Sequence, residues 1–210
     1  MLEFILIALT LASMLLIIYH HVGFPLIMRL ARGKRTYSEP RLPARNYTES
    51  SFDPLLPSVT ILIPAYNEER WIADKIRNLA TLDYPREKLR VMIACDGCED
   101  GTAALARSVA SEAPCNHLSV EVREFASNRG KVAVVNELMQ EIDTEFVALS
   151  DVSSLVSVDA LQIAAWHFRD PHLGVLNGSY RLLEPGSEGE AAYWAYQRNI
   201  KMSEAALGAT

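Results

Sequence analysis

The run Val59-Thr-Ile-Leu-Ile-Pro-Ala-Tyr-Asn-Glu-Glu69 changes character abruptly, from consecutive apolar or β-branched residues to a polar, acidic turn. An opening without polar alternation describes a strand buried on both faces, and such strands belong to parallel sheets covered by helices. Pro64 is expected to end the pairing. Asn67, Glu68 and Glu69 then fall where a strand hands over to a helix, acidic residues being favoured at the positive helix start. Ligands of open α/β sheets bind outside the carboxyl ends of the strands, which makes this turn a candidate wall of a site. Taken alone, the same residues also describe a plain strand-to-helix turn.

Beyond Val59 the pattern alternates at intervals suited to βαβ units. A helix is expected over Glu69–Thr81, with Ile72, Ile76 and Leu79 on one face, and Tyr84-Pro85 breaks it. Strands follow at Leu89–Ala94, Leu118–Phe125, Glu145–Ser150 and, briefly, Leu173–Leu176. Helices fall at Thr102–Ala113, Lys131–Ile142 and Val158–Phe168. Glu188–Leu207 has helical spacing and carries Tyr193, Trp194, Tyr196, Ile200, Met202 and Leu207. That aromatic side suits a core, a membrane interface or the flank of an acceptor channel.

Leu2–Met28 is apolar apart from Glu3, Thr10, Ser13 and Tyr19-His20-His21, and has about the ~20 residues needed to cross a bilayer. The amino end lacks a basic region and no small-x-small cleavage site follows, which favours a retained span over a cleaved signal peptide. Arg29, Arg32, Lys34 and Arg35 come next, so the positive-inside bias leaves the amino terminus outside and the remainder cytoplasmic. Residues 1–30 thus read as a single membrane anchor. Residues 31–57, rich in proline, read as a juxtamembrane linker whose Arg41 and Arg45 extend the basic patch toward anionic headgroups. Asn46-Tyr-Thr48 and Asn177-Gly-Ser179 fit glycosylation sequons that this topology would leave unused. The net charge of -6 gives no general positive field, which argues against a nucleic-acid partner.

Three polar groups fall at the ends of expected strands: Asn67-Glu68-Glu69, Cys95-Asp96-Gly97 and Ser150-Asp151-Val152-Ser153. In a parallel sheet these ends share one rim, so residues remote in sequence converge on one crevice. Each aspartate alone would also serve as a helix cap. Together, Asp96 and Asp151 with Lys131 and the backbone of Asn128-Arg-Gly130 suit a nucleotide diphosphate and a divalent metal. One carboxylate can accept from base or ribose, the other can hold a hard cation, and the lysine can neutralise phosphate. Cys95-Asp-Gly-Cys98 also fits a redox dithiol, but Glu99 and Asp100 beside it disfavour the thiolate.

These motifs resemble those of the family 2 glycosyltransferases, which have the GT-A fold and use nucleotide-activated sugars. Pro64-Ala-Tyr-Asn-Glu-Glu69 is similar to the family's opening motif, which lines the uridine pocket and implies binding roles for Pro64, Ala65, Tyr66, Asn67 and Glu68. Cys95-Asp-Gly-Cys-Glu-Asp-Gly-Thr102 is similar to the stretch whose second aspartate recognises the base, here Asp96. Asn128-Arg-Gly-Lys131 is similar to the segment whose lysine meets the diphosphate. Ser150-Asp-Val-Ser153 corresponds to the D-x-D element that binds metal and nucleotide, and Asp159 opens the Asp-Ala-Leu that usually follows it.

The resemblance implies an α/β GT-A fold, Rossmann-like, with a mostly parallel sheet flanked by helices over residues 58–210, preceded by one transmembrane helix. It also implies a membrane-anchored, inverting, metal-dependent transferase moving sugar from a nucleotide-diphosphate sugar, a UDP-sugar, to a polysaccharide or lipid-linked acceptor. Mn2+ or Mg2+ would sit at Asp151 and Ser153. Three departures stand out. Cys95 replaces the first aspartate and Cys98 the serine of the second motif, while Ser153 replaces the second aspartate of D-x-D and leaves the cation more dependent on Asp151 and the phosphates. The family's catalytic base, the Asp of a Glu-Asp pair, and its Gln-x-x-Arg-Trp motif do not occur before Thr210. The base is therefore expected beyond Thr210, with 58–210 as an incomplete amino-terminal part. The alternatives are a non-catalytic, membrane-tethered fragment that binds nucleotide sugar without an acceptor half, and a nucleotidyltransferase releasing pyrophosphate.

Overall fold

The computed structural model describes residues 1–33, 53–179 and 186–207. Lys34, Arg35, Arg41, Arg45 and the Asn46–Thr48 sequon, and with them most of the expected linker, lie outside the described residues. Contacts divide the chain into two compact units, Met1–Pro40 with His172–Thr210, and Arg41–Pro171.

The second unit holds a four-stranded sheet: β1 Val59–Ala65, β2 Leu89–Asp96, β3 Ser119–Phe125 and β4 Phe146–Leu149. The order is β3-β2-β1-β4 and every pairing is parallel. Parallel neighbours require crossovers, supplied by α3 Glu69–Ala80, α4 Thr102–Ala110 and α5 Lys131–Leu138, with α6 Ala160–His167 following β4. β1 is central, and Val59 to Ile63 are each at most 4 % exposed, as a run without alternation requires. Ile61 and Ile63 face a large core with Ile72, Ile76 and Leu79 of α3 and Ala106 and Val109 of α4. Leu62 faces the other side, where Met92 and Ala94 meet Val134 and Leu138 of α5.

Pro64 does not end the pairing, because β1 runs on to Ala65 and Pro64 sits in register with Ala94. The reason is geometric. Ser150 N–H donates to the Leu62 carbonyl at 3.1 Å, so Leu62 and, two residues on, Pro64 turn their backbone groups toward β4. β4 stops at Leu149, opposite Leu62, so the donor that proline lacks falls past the last paired residue of β4 and leaves the ladder with β2 intact. The expected strand at Leu173–Leu176 is also absent: residues 173–179 have no regular structure. The helices expected to reach Ala113 and Ile142 stop at Ala110 and Leu138.

The first unit contains α1 Leu2–Ile18, a π-helical turn at Tyr19–Gly23 and α2 Phe24–Arg32, a helical stretch long and apolar enough to cross a membrane. α7, Glu188–Ala206, packs on α2, and Tyr196 Oη donates to the His20 carbonyl at 2.8 Å. A capping box starts α7: Ser187 Oγ accepts from Glu190 N–H at 3.1 Å, and the Glu190 carboxylate accepts from Gly186 N–H at 2.8 Å.

Candidate functional site

Parallel pairing places the carboxyl ends of all four strands on one rim, and the order reverses between β1 and β4, the kind of switch point where open sheets bind ligands. The residues singled out from the sequence all lie on this rim of the Arg41–Pro171 unit. Pro64 and Ala65 end β1, Asp96 ends β2, Lys131 begins α5 after β3, and Asp151 and Ser153 follow β4.

On the β1 and β2 side the loops are tied to one another. Asn67 adopts a positive φ of 54°, a conformation asparagine tolerates, and its Oδ1 accepts from Glu99 N–H at 2.9 Å. Glu68 N–H donates to Thr102 Oγ1 at 2.8 Å, Glu69 N–H to Asp100 Oδ2 at 3.1 Å, and Gly101 N–H returns to Glu69 Oε2 at 3.2 Å. Burial opposes ionisation of Asp100, yet the hydroxyl and amide of Thr102 and the amide of Glu69 hold its carboxyl below the ordinary range. Tyr66 is left 48 % exposed above this lattice. The thiol of Cys98 donates to the Ala65 carbonyl at 3.5 Å. Burial and the neighbouring Cys98 push the Cys95 thiol up to about 12, which disfavours a thiolate at that position.

The β2 and β3 ends are tied as tightly. Asp96 is 4 % exposed, and its oxygens accept from Arg129 N–H at 3.0 and 3.1 Å and from Gly130 N–H at 2.8 Å. Gly97 N–H donates to the Phe125 carbonyl at 3.1 Å. At φ +67°, Gly97 would bring a Cβ to 2.2 Å from the Asn128 amide nitrogen, so only glycine lets the two loops meet. Arg129 stacks on Phe125, 4.2 Å from the ring centroid, and pairs with Glu137 at 2.6 Å.

On the β4 side the candidate groups stand in solvent. Lys131 Nζ and the Asp151 carboxylate form an ion pair with side chains 52 % and 58 % exposed. Val152, between Asp151 and Ser153, is 3 % exposed and plugs into the large core. Beneath the turn is Lys75 of α3, fully buried, donating to Ser150 Oγ at 2.6 Å and to the Ser154 carbonyl. Burial pushes this ammonium down to about 8, against the opposing pull of Asp151. Sequence reasoning missed Lys75, although a charge inside the Ile72, Ile76, Leu79 stripe was a readable signal. It also missed the linking roles of Asp100 and Thr102.

Among the described residues, no group of three or more His, Cys, Asp or Glu side chains is gathered as a ready-made metal cage. One exposed carboxylate and one hydroxyl on a single turn do fit a hard cation of the Mg2+ or Mn2+ kind, which takes one or two carboxylates and completes its shell with substrate phosphates and water.

Residues 57–207 match the family model described as glycosyltransferase like family 2. Over 133 residues the chain is 30 % identical to poly-β-1,6-N-acetyl-D-glucosamine synthase of Staphylococcus aureus, covering 63 % of this chain and 31 % of that protein. Over 159 residues it is 26 % identical to β-monoglucosyldiacylglycerol synthase of a Synechocystis species, covering 72 % and 33 %. The chain thus spans about a third of the length of these curated relatives. Among solved structures it is similar to a mannosyltransferase from Pyrobaculum calidifontis in complex with GDP-Man and Mn2+, with a TM-score of 0.59 and 31 % identity over 83 % of this chain and 46 % of that one.

Proposed function

Since the chain belongs to glycosyltransferase like family 2, we propose that its carboxyl-end rim is the donor site of an inverting, metal-dependent sugar transferase. The single observation that carries this reading is the spacing of the two acidic positions on the rim. β2 and β4 flank β1 and run about 10 Å apart, so Asp96 at the end of β2 and Asp151 just past the end of β4 lie on either side of the β1 end. That distance suits a ligand with a base at one end and a diphosphate at the other.

Each residue has a role in this reading. Asp96 spends most of its acceptor capacity on the Arg129 and Gly130 amides, and a carboxylate with about four lone-pair sites keeps one for a base N–H. Pro64, Ala65, Tyr66, Asn67 and Glu68 form the wall beside the base, with Tyr66 offering its exposed ring. Lys131 turns from Asp151 to the diphosphate when donor enters, and Asp151 with Ser153 holds Mn2+ or Mg2+ together with the phosphates. The cation, when bound, neutralises charge that builds on the departing diphosphate. No residue of this chain is assigned as the base that takes the acceptor's proton.

A UDP-sugar is the expected donor. A GDP-sugar is the second reading, favoured by the GDP-Man in the Pyrobaculum structure. The names of the two curated relatives support a polysaccharide or lipid-linked acceptor. Leu2–Arg32 is proposed as a membrane anchor, and Arg29 and Arg32 at its carboxyl end support placing the rim in the cytoplasm. Calorimetric titration with UDP and GDP, with and without Mn2+, tests the core claim. Metal-assisted binding of one nucleotide by the wild type, lost in the Asp96→Ala, Asp151→Ala double variant, is expected. Equal binding by both proteins would refute the site.

A further inference from the structure

Lys75 leads the fully buried side chains in size, among the described residues. It interrupts a stripe of α3 in which Ile72, Ile76 and Leu79 are likewise wholly buried. A charge held in an interior is costly unless its donors are satisfied. Here the acceptors are informative: Ser150 Oγ and the Ser154 carbonyl are the two shoulders of the segment that presents Asp151 and Ser153. The Ser154 N–H closes the same segment onto the Asp151 carbonyl at 3.2 Å, and Val152 anchors its middle in the core. Both outward-facing groups therefore sit on a turn held from below at its two ends and its centre.

The neighbouring clamp offers an internal contrast. One turn along α3, Asn78 exchanges two hydrogen bonds with the Val156 backbone, at 2.9 and 2.8 Å, and Asp83 N–H donates to the Val158 carbonyl at 2.8 Å. The whole connection from β4 to α6 is thus laid along α3 and the loop after it. Neutral groups hold the part remote from Asp151, whereas a cation holds the part that carries it. Hydrogen bonds from an ionised donor are roughly twice as strong as neutral ones, and a positive charge under the turn also favours an anionic ligand above it.

We propose that Lys75 is the positioning residue of the phosphate half of the donor site, fixing Asp151 and Ser153 for a nucleoside diphosphate and its divalent cation by clamping Ser150 and Ser154. This rests on the donor-site reading above. Lys75 does not touch the donor; it acts through the turn.

The test uses the whole protein, with Lys75→Met removing the ammonium while keeping chain length, Asn78→Leu loosening the remote clamp, and Ser150→Ala removing one of the lysine's two acceptors while leaving the ammonium in place. UDP is titrated against UMP, and GDP against GMP, each with Mn2+. In Lys75→Met the diphosphate is expected to bind about tenfold or more weakly, the usual scale for a partner behind a metal ligand. The monophosphate of the same base stays near the wild-type value. Ser150→Ala shifts the ratio the same way by less, and Asn78→Leu leaves it unchanged. Amide hydrogen exchange over residues 151–156 rises in Lys75→Met with no ligand present. Equal weakening of diphosphate and monophosphate, as general destabilisation would give, overturns the proposal, as does an unchanged diphosphate affinity. If the wild type binds neither diphosphate, the donor reading fails by itself, and unchanged exchange in Lys75→Met then sinks the clamp as well.

Discussion

Where β1 and β2 end, the rim is held by hydrogen bonds that loops make to one another's backbone; where β4 ends, the candidate groups stand in solvent and are steadied from underneath. Asp96 is buried with its carboxylate on the amides of Arg129 and Gly130, while Asp151 is more than half exposed and paired with Lys131. The first region is tied together by the protein's own groups, and Asp96, the residue proposed to meet the base, is also structural. The second leaves its charged groups exposed, as the proposed site for phosphates and a cation that come and go would require. Stability and binding should therefore be inseparable at one end of the crevice and separable at the other.

The strongest way to break that comparison is at Gly97. Gly97→Ala forces a positive φ on alanine and drives its Cβ into the Asn128 backbone, so unfolding free energy is expected to fall by about 3 kcal/mol. Nucleotide affinity should fall with it, and denaturant titration followed by calorimetry checks both. Asp96→Asn comes next, replacing a charged acceptor of two amides and costing about 2 kcal/mol of stability together with binding. A variant that lost binding alone would show the base side to be less structural than its bonds suggest.

The pH dependence sharpens the other end. Lys75 is less basic in the folded chain, at about 8, than its ordinary 10.5. Between those values the unfolded chain binds more protons, so this group makes folding more favourable as the pH rises; below about 8 the cost of burying its charge is fully present. A gain on the order of 1 kcal/mol between pH 7 and 9 is expected, and Lys75→Met should abolish it in parallel denaturation curves. The smallest stability effect belongs to Asp151→Asn, within about 0.5 kcal/mol of wild type at an exposed position. Its Mn2+-dependent nucleotide affinity should nevertheless drop about tenfold.

Much of this architecture could be read from residues. Val59 to Ile63 announced a central strand because a strand covered on both faces has no polar side to show, and the three strand-end groups came to one rim because parallel strands end together. Pro64 was misjudged because the cost of proline depends on which neighbour its missing N–H would face, and that requires knowing where β4 stops. Leu173–Leu176 had the apolar content of a strand, but content cannot supply a partner. The place of Asp96 at a strand end was legible, whereas its engagement with Arg129 and Gly130 was not, since that contact depends on the register of β2 against β3. Lys75 was hidden by its own helix: periodicity counts apolar positions, and the one charged member of the stripe was passed over.

The π-helical turn at Tyr19–Gly23 has its own consequence. One extra residue in a helical turn advances everything after it by about 100° around the axis. Phe24 onward therefore points in different directions from those an unbroken continuation of Leu2–Ile18 would give. Phe24 N–H donates to the Tyr19 carbonyl five residues back, and Pro25 has no N–H to offer, so the His20 carbonyl is left to accept from Tyr196. Deleting one residue within 19–23 would re-aim Arg29 and Arg32 relative to Leu2–Ile18.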